Sequence, residues 1–284
     1  MSKKIRPAYF AGQFYSADAD DLQAEVSEYL NKADTALPAN IKPKALLSPH
    51  AGYDFSGFVS AHSYKTLLNR QIDIVFLLGN SHAHLFEGIA VDDSDYWQTP
   101  LGEVPVDKEA MENIVSANER IFADASVHLG DHILEVQLPF LQVALPGDFK
   151  IVPIVFGNSN PGDHQILADI LASNLGENDL IVASSDLSHY PEYMVANDVD
   201  RHTLKLVANR DVVSLENYFQ EVMAQNIPNE ETTMCGPDGV KTIMNLAKRF
   251  AWEGEILYYA NSGDVPIGDK ERVVGYGSVC FCQK

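Results

Sequence analysis

Short unbroken apolar runs alternate with amphipathic stretches along most of this chain. The runs at 45–48, 72–78, 150–156, 180–184, 255–259 and 273–281 are mostly continuous, the pattern of strands covered on both faces. Between them, apolar positions recur at helical spacing over 19–33, 57–68, 108–117, 132–144, 165–175, 194–209, 215–225 and 237–251. Strand and helix therefore alternate, which predicts an α/β fold: a central, largely parallel or mixed sheet flanked by helices on both faces. The stretch 88–106 carries Pro and Gly between β-prone pieces, and its expected form is an antiparallel edge hairpin. No internal repeat and no linker rich in Pro, Gly or Ser divides the chain, so residues 1–284 read as a single domain.

Composition narrows the partners. A hydrophobic fraction of 46% over 284 residues is ample for a core. Lysine and arginine total 20 against 40 acidic residues, a net charge of −20. That balance repels phosphate backbones and anionic membranes, so neither nucleic acid nor membrane is expected as a partner. The start, MSKKIRPAYFAGQFY, lacks an apolar run of about 7–15 residues, and nowhere do about 18 apolar residues run together. The expectation is a soluble, unexported, cytoplasmic protein. Cys280 and Cys282 lie two apart in a strand-like YGSVCFC, which points both to one face but spaces them widely for bridging; they are expected to be reduced packing residues. Cys235, in MCGPDG, stands in a turn that opens a helix, where a thiolate is favoured.

Chemistry concentrates where apolar runs end. His50 follows ALLSP, His82 follows VFLLGNS, and His189 follows LIVASSDLS. In an open parallel sheet ligands bind beyond the carboxyl ends of strands, so these imidazoles are candidates for one site. Adjacent strands would bring His50 and His82 to one rim as a metal pair, which leaves a third ligand to find. Asp186 would complete two histidines and a carboxylate; Cys235 would give a softer set suited to Zn, Cu or Fe. Asp186 and His189, three apart in SSDLSHY, could be ligands or an acid/base pair in which the carboxylate orients the imidazole. The plain alternative is that Ser184, Ser185 or Asp186 caps the next helix.

In GDHILEVQLPFLQ, His132 stands near the start of a predicted amphipathic helix with Glu135 nearby, and could reach the same pocket as a proton donor or anion-binding group. Glu135 is expected only to hold it. His62, His164 and His202 read as surface or packing residues. No G-x-G-x-x-G, Walker A, H-E-x-x-H or G-x-S-x-G motif occurs, which removes support for nucleotide-binding, thermolysin-like and α/β-hydrolase readings.

Taken together, RPAYFAGQFY (6–15), SPHAGYDFSG (48–57), GNSHAH (79–84), DHILEVQLPFLQ (131–142), SSDLSHY (184–190), MCG (234–236), NSGD (261–264) and VVGYGS (273–278) resemble the signatures of the Memo family. Its bacterial and archaeal members are also called AmmeMemoRadiSam system protein B. The blocks fall in family order over nearly the whole chain. The chain departs from the pattern at Asn80, where Pro is common, and at Asp131, where Glu is common.

The resemblance implies a fold similar to class III extradiol dioxygenases and metal ligands at His50, His82 and Cys235, with Asp186, His189 and His132 beside the metal as the catalytic candidates. It implies a divalent or redox metal ion, Fe(II) or Cu ahead of Zn, and a functional association with AmmeMemoRadiSam system proteins including a radical SAM protein. Three functional readings follow: a dioxygenase-like redox protein acting on a small molecule, a non-catalytic binding or adaptor module that uses the same pocket for a peptide or anionic ligand, and a zinc-dependent hydrolase with His189 as base.

Overall fold

The computed structural model describes residues 3–34, 37–38, 41–145 and 147–283. In chain order the elements are β1 (Ile5–Arg6), α1 (Ala19–Lys32), β2 (Lys42–Ser48), α2 (Tyr53–Lys65), β3 (Ile74–Asn80), β4 (Ile89–Val91), β5 (Tyr96–Thr99), β6 (Gly102–Pro105), α3 (Lys108–Ala117) and β7 (Ile121–Ala123). They continue as α4 (Leu138–Ala144), β8 (Lys150–Phe156), α5 (Asp163–Asn174), β9 (Leu180–Ser184), α6 (Tyr193–Ala208), α7 (Val212–Ala224), α8 (Pro237–Arg249), β10 (Glu253–Asn261) and β11 (Gly275–Gln283).

Eight strands form one sheet in the order β10-β11-β2-β9-β3-β8-β4-β7. Its centre, β2-β9-β3-β8, is parallel; β10, β11 and the β4–β8 pairing are antiparallel, so the sheet is mixed. Side-chain alternation divides each central strand between two cores. Leu46, Leu77, Ile151 and Val182 pack with Leu22, Tyr64 and Phe140 on one face, while Leu47, Phe76, Val152 and Ile181 pack with Leu167, Leu204 and Ile243 on the other. Helices on both faces explain why these strands read as unbroken apolar runs.

Local chemistry sets the helices. The Asp18 side chain caps α1 by accepting from the backbone N–H groups of Asp20 and Asp21, and Leu22, Val26 and Leu30 form its buried stripe. Pro237 opens α8, where a missing N–H costs no intrahelical bond.

Several expectations need correction. The segment 88–106 is not an edge hairpin of the main sheet: β4 joins that sheet, whereas β5 and β6 pair antiparallel in a separate three-stranded sheet with β1. The helix expected from 132 begins only at Leu138, after a 3-10 turn at Glu135–Gln137, because residues 131–135 are committed to side-chain bonds described below. Cys280 and Cys282 are joined as a disulfide, not reduced: alternate positions on one face place their Cα atoms 6.0 Å apart, within the span a bridge tolerates, at a register irregularity against β2. Finally, 185–192 is an irregular segment, and α6 is preceded by Glu192 with no side-chain cap, so none of Ser184, Ser185 or Asp186 caps it.

That irregular segment is supported from beneath by Asp200 of α6. Its carboxyl accepts from Ser188 N at 2.9 Å and from the Tyr259 hydroxyl at 2.9 Å, and a Cβ at Gly275 would fall 1.8 Å from Asp200 Oδ2. Burial first, with the nearby Glu230 charge adding to it, pushes the Asp200 carboxyl up to about 7. The folded chain thus holds this proton more tightly than the unfolded chain. Its stabilising contribution is full at low pH and is lost as pH rises from about 4 through about 7. Asp200→Asn is therefore expected to flatten the decline in urea stability over that window, by on the order of 4 kcal/mol. Parallel curves for the two proteins would contradict this.

Candidate metal centre

Three adjacent strand ends build the site. β2 delivers His50 through Pro49, β9 delivers Asp186 through Ser185, and β3 delivers His82 through Ser81. Cys235 enters from the start of α8, and Gly236 allows it: a Cβ there would lie 2.6 Å from Ser184 O, so a side chain would push α8 away from β9. Asn80 ties the same helix to β3, its amide donating to Asp238 Oδ2 at 2.7 Å and its oxygen accepting from Asp238 N at 3.1 Å. Proline at position 80 could make neither bond.

Donor atoms of His50, His82 and Cys235 all lie within 4.8 Å of one another. Cys235 Sγ is 3.1 Å from His50 Nε2 and accepts from Asp186 N at 3.2 Å. His50 is buried, whereas His82 is exposed and opens the site to solvent. His82 Nδ1 donates to Asn80 O at 2.8 Å, since a carbonyl can only accept, and its Nε2 is left free to ligate. The adjoining backbone is pinned by Asp131, whose Oδ2 accepts from His82 N at 2.8 Å, Ala83 N at 3.2 Å and Ser81 Oγ at 3.2 Å.

Two imidazole nitrogens and one sulfur at this spacing fit a transition metal of borderline softness, and three protein ligands leave a position open. Burial and the neighbouring Asp186 push the Cys235 thiol up, so a bound metal would displace its proton. Burial first, then His132 and His82, holds His50 well below the usual imidazole range, which keeps it a neutral donor.

Asp186 stands outside this donor set. Its Oδ1 accepts from His50 N at 2.7 Å, and burial pushes its carboxyl up to about 6. Nor does it orient His189 by a hydrogen bond, as expected from the sequence: His189 Nδ1 donates to Leu187 O at 2.9 Å. The His189 backbone is instead stitched to the irregular segment leading to Cys235, with His189 N donating to Thr232 O and Glu231 N to His189 O. Next to it Tyr190 holds a left-handed backbone, φ 72°, a strain typical of sites where function fixes a side chain.

His132 does reach the pocket. Its ring centroid lies 5.3 Å from that of His50 and 5.6 Å from that of His82, with Phe10 and Phe14 packed against it at 5.5 and 4.6 Å. Burial pushes it down to about 4. The structure thus brings all six sequence candidates to one strand-end region, but in different settings.

Sequence reasoning named Glu135 as a support for His132 but missed Arg6, its partner in the wall that carries His132. Arg6 and Glu135 form a fully buried ion pair at 2.5 Å, and Glu135 also accepts from Phe10 N, Tyr9 N and the Tyr15 hydroxyl. Glu135 therefore acts on His132 through Phe10 and Phe14 rather than directly. A pairing that spans 129 positions leaves no local signal; only the joint presence of the 6–15 and 131–142 blocks hinted at it.

Fold and site together define an α/β protein with a His₂Cys candidate metal centre at the carboxyl edge of its parallel strands. Among known proteins, the Memo-like protein family matches residues 6–280. A MEMO1 family protein of Ignicoccus hospitalis is 35% identical over 98% of both chains, and one of Sulfolobus acidocaldarius is 36% identical over 98% of this chain and 99% of its own. One from Nitrosopumilus maritimus is 33% identical, again covering 98% of this chain and 99% of its own. The chain belongs to the Memo family. A solved structure of an uncharacterized protein from Escherichia coli K12 superposes with a TM-score of 0.52 over 84% of this chain and 100% of its own, at 15% identity, a likeness of fold. Among the described residues no helix is long and apolar enough to cross a membrane.

Proposed function

We propose that this protein binds one redox-active metal ion, Fe(II) or Cu, through His50, His82 and Cys235, and that the centre serves a dioxygenase-like oxidation of a small molecule. The convergence of three soft-to-borderline donor atoms within 4.8 Å carries the reading. The ion would supply Lewis-acid and one-electron chemistry beside the open face near His82. The protein's own groups would then handle protons. His189 has its Nδ1 committed to Leu187 O, which leaves Nε2 to accept a proton from a substrate hydroxyl. His132, neutral at pH 7, would donate a hydrogen bond to an oxyanion. Asp186 holds the His50 backbone, and its carboxyl, poised near 6, would hold or release a proton beside the site.

Anaerobic purification followed by elemental analysis and electron paramagnetic resonance tests the reading, with about one Fe or Cu per chain expected. Zinc alone would favour the hydrolytic reading, which the same donor set accommodates. Absence of any bound metal, with none taken up on reconstitution, would overturn both and leave a binding module. Because Cys235 must lose a proton to ligate, metal affinity is expected to rise roughly tenfold per pH unit through neutrality. A flat profile in a competition titration would show that the thiol takes no part.

A further inference from the structure

We infer that Ser184 and Gln137 are positioning residues for the metal centre, acting through a buried hydrogen-bond chain that fixes the His50 tautomer with its proton on Nδ1 and its Nε2 lone pair facing Cys235. This rests on His50 being a ligand.

The direction of every bond follows from donor and acceptor bookkeeping. The Tyr64 hydroxyl is fully buried, burial keeps it protonated, and it donates to Gln137 Oε1 at 2.6 Å. With its oxygen so fixed, Gln137 turns its amide nitrogen the other way. Nε2 donates one hydrogen to Pro49 O at 2.9 Å and the second to Ser184 Oγ at 2.8 Å. Ser184 Oγ has a single hydrogen, and the carbonyl of Ile133 beside it can only accept, so that hydrogen goes to Ile133 O. The serine oxygen then offers one remaining lone pair, and its remaining neighbour is His50 Nδ1 at 3.0 Å. Nδ1 must therefore carry a hydrogen and donate. A neutral imidazole has one such hydrogen, so Nε2 is bare, and Nε2 is the atom 3.1 Å from Cys235 Sγ.

Two backbone carbonyls that cannot donate pin the chain: Pro49 O fixes which end of the Gln137 amide is nitrogen, and Ile133 O takes the serine hydrogen. None of its members is free to reverse. It also binds three parts of the site to one hub: Pro49 beside His50, β9 through Ser184, and Ile133 beside His132. His82 obtains the same tautomer from the carbonyl of Asn80 alone. Nothing in the local sequence marks Gln137 as a partner of His50, since the two lie on different elements.

The test begins with the unaltered, metal-free protein. Long-range ¹H–¹⁵N correlation spectra of its histidines should show His50 as the Nδ1–H form, and finding Nε2–H would overturn the inference without any variant. Ser184→Ala should then leave His50 in a mixture of tautomers and weaken binding of Zn(II), used as the probe ion, by about 10–100-fold. Ser184→Thr, which keeps the hydroxyl, should restore both. Unchanged tautomer and affinity in Ser184→Ala would exclude the positioning role. Should that variant fail to fold, Gln137→Met provides the same two readouts, since it removes the donor that orients the serine. A wild-type protein that takes up no metal would remove the proposed function, whereas one that binds metal while showing Nε2–H at His50 would remove only this inference.

Discussion

Replacing Cys235 by serine is expected to reduce metal affinity by more than the ~100-fold typical of losing a supporting contact, while leaving the thermal unfolding temperature within a few degrees. The sulfur is the only soft member of the donor set, and its neighbours are arranged around it: Asp186 N donates to it, His50 Nε2 faces it, and Gly236 makes room for the helix that carries it. A serine oxygen would sit nearer its own Cβ than the sulfur does, and would retain its proton far more firmly at neutral pH. Two histidines would remain, one of them exposed, which is too few to hold a divalent ion against buffer competitors. The fold should persist because α8 is anchored elsewhere, by its apolar stripe and by the Asn80–Asp238 bonds. Isothermal titration with Zn(II) and a melting curve on the same sample decide the matter. Equal affinity in the variant would remove Cys235 from the centre; a large loss of stability would show that its role is packing.

How far the sequence anticipated this site depends on the range of the signals involved. β8 and β9 occupy 150–156 and 180–184, as their apolar runs predict, because a strand covered on both faces leaves a local mark in composition. His50 and His82 were likewise legible, since each follows such a run, and adjacency of β2, β9 and β3 does the rest. Cys235 was harder. Periodicity placed it at a helix start, but only the family resemblance promoted it over Asp186 as third candidate ligand; in the structure β9 places the Asp186 carboxyl against the His50 backbone, while α8 brings the sulfur to the imidazole. Least legible were the supports. Gln137, Ser184 and Tyr64 are ordinary residues in strand and helix patterns, and their meaning arises from three elements meeting in space. The late start of α4 has the same origin, because Asp131 and Glu135 engage partners across the fold and draw the chain out of regular helix.

Glu135→Ala is expected to destabilise the protein by about 3–5 kcal/mol, since it strands the buried Arg6 charge. Both side chains of this pair are 0% exposed. The carboxylate also satisfies Tyr9 N, Phe10 N and the Tyr15 hydroxyl, so its removal would leave those donors without an acceptor and the guanidinium without its counter-charge in a dry setting. Arg6 in turn reaches Asp131 O at 2.7 Å and His128 O at 2.9 Å and lies over the Trp97 ring at 4.1 Å. The pair is thus the clamp between the N-terminal segment and the 128–135 segment that carries His132 and Asp131. Glu135→Gln, which keeps an acceptor but loses the charge, should fall between wild type and Glu135→Ala in urea unfolding. The clamp also predicts where the damage spreads. Loosening Phe10 and Phe14 frees His132, and shifting Asp131 frees the His82 backbone, so metal affinity should fall in Glu135→Ala although no ligand has changed. Equal stability of Glu135→Ala and wild type would mean that the segment is held by its aromatic packing, with the ion pair contributing nothing net.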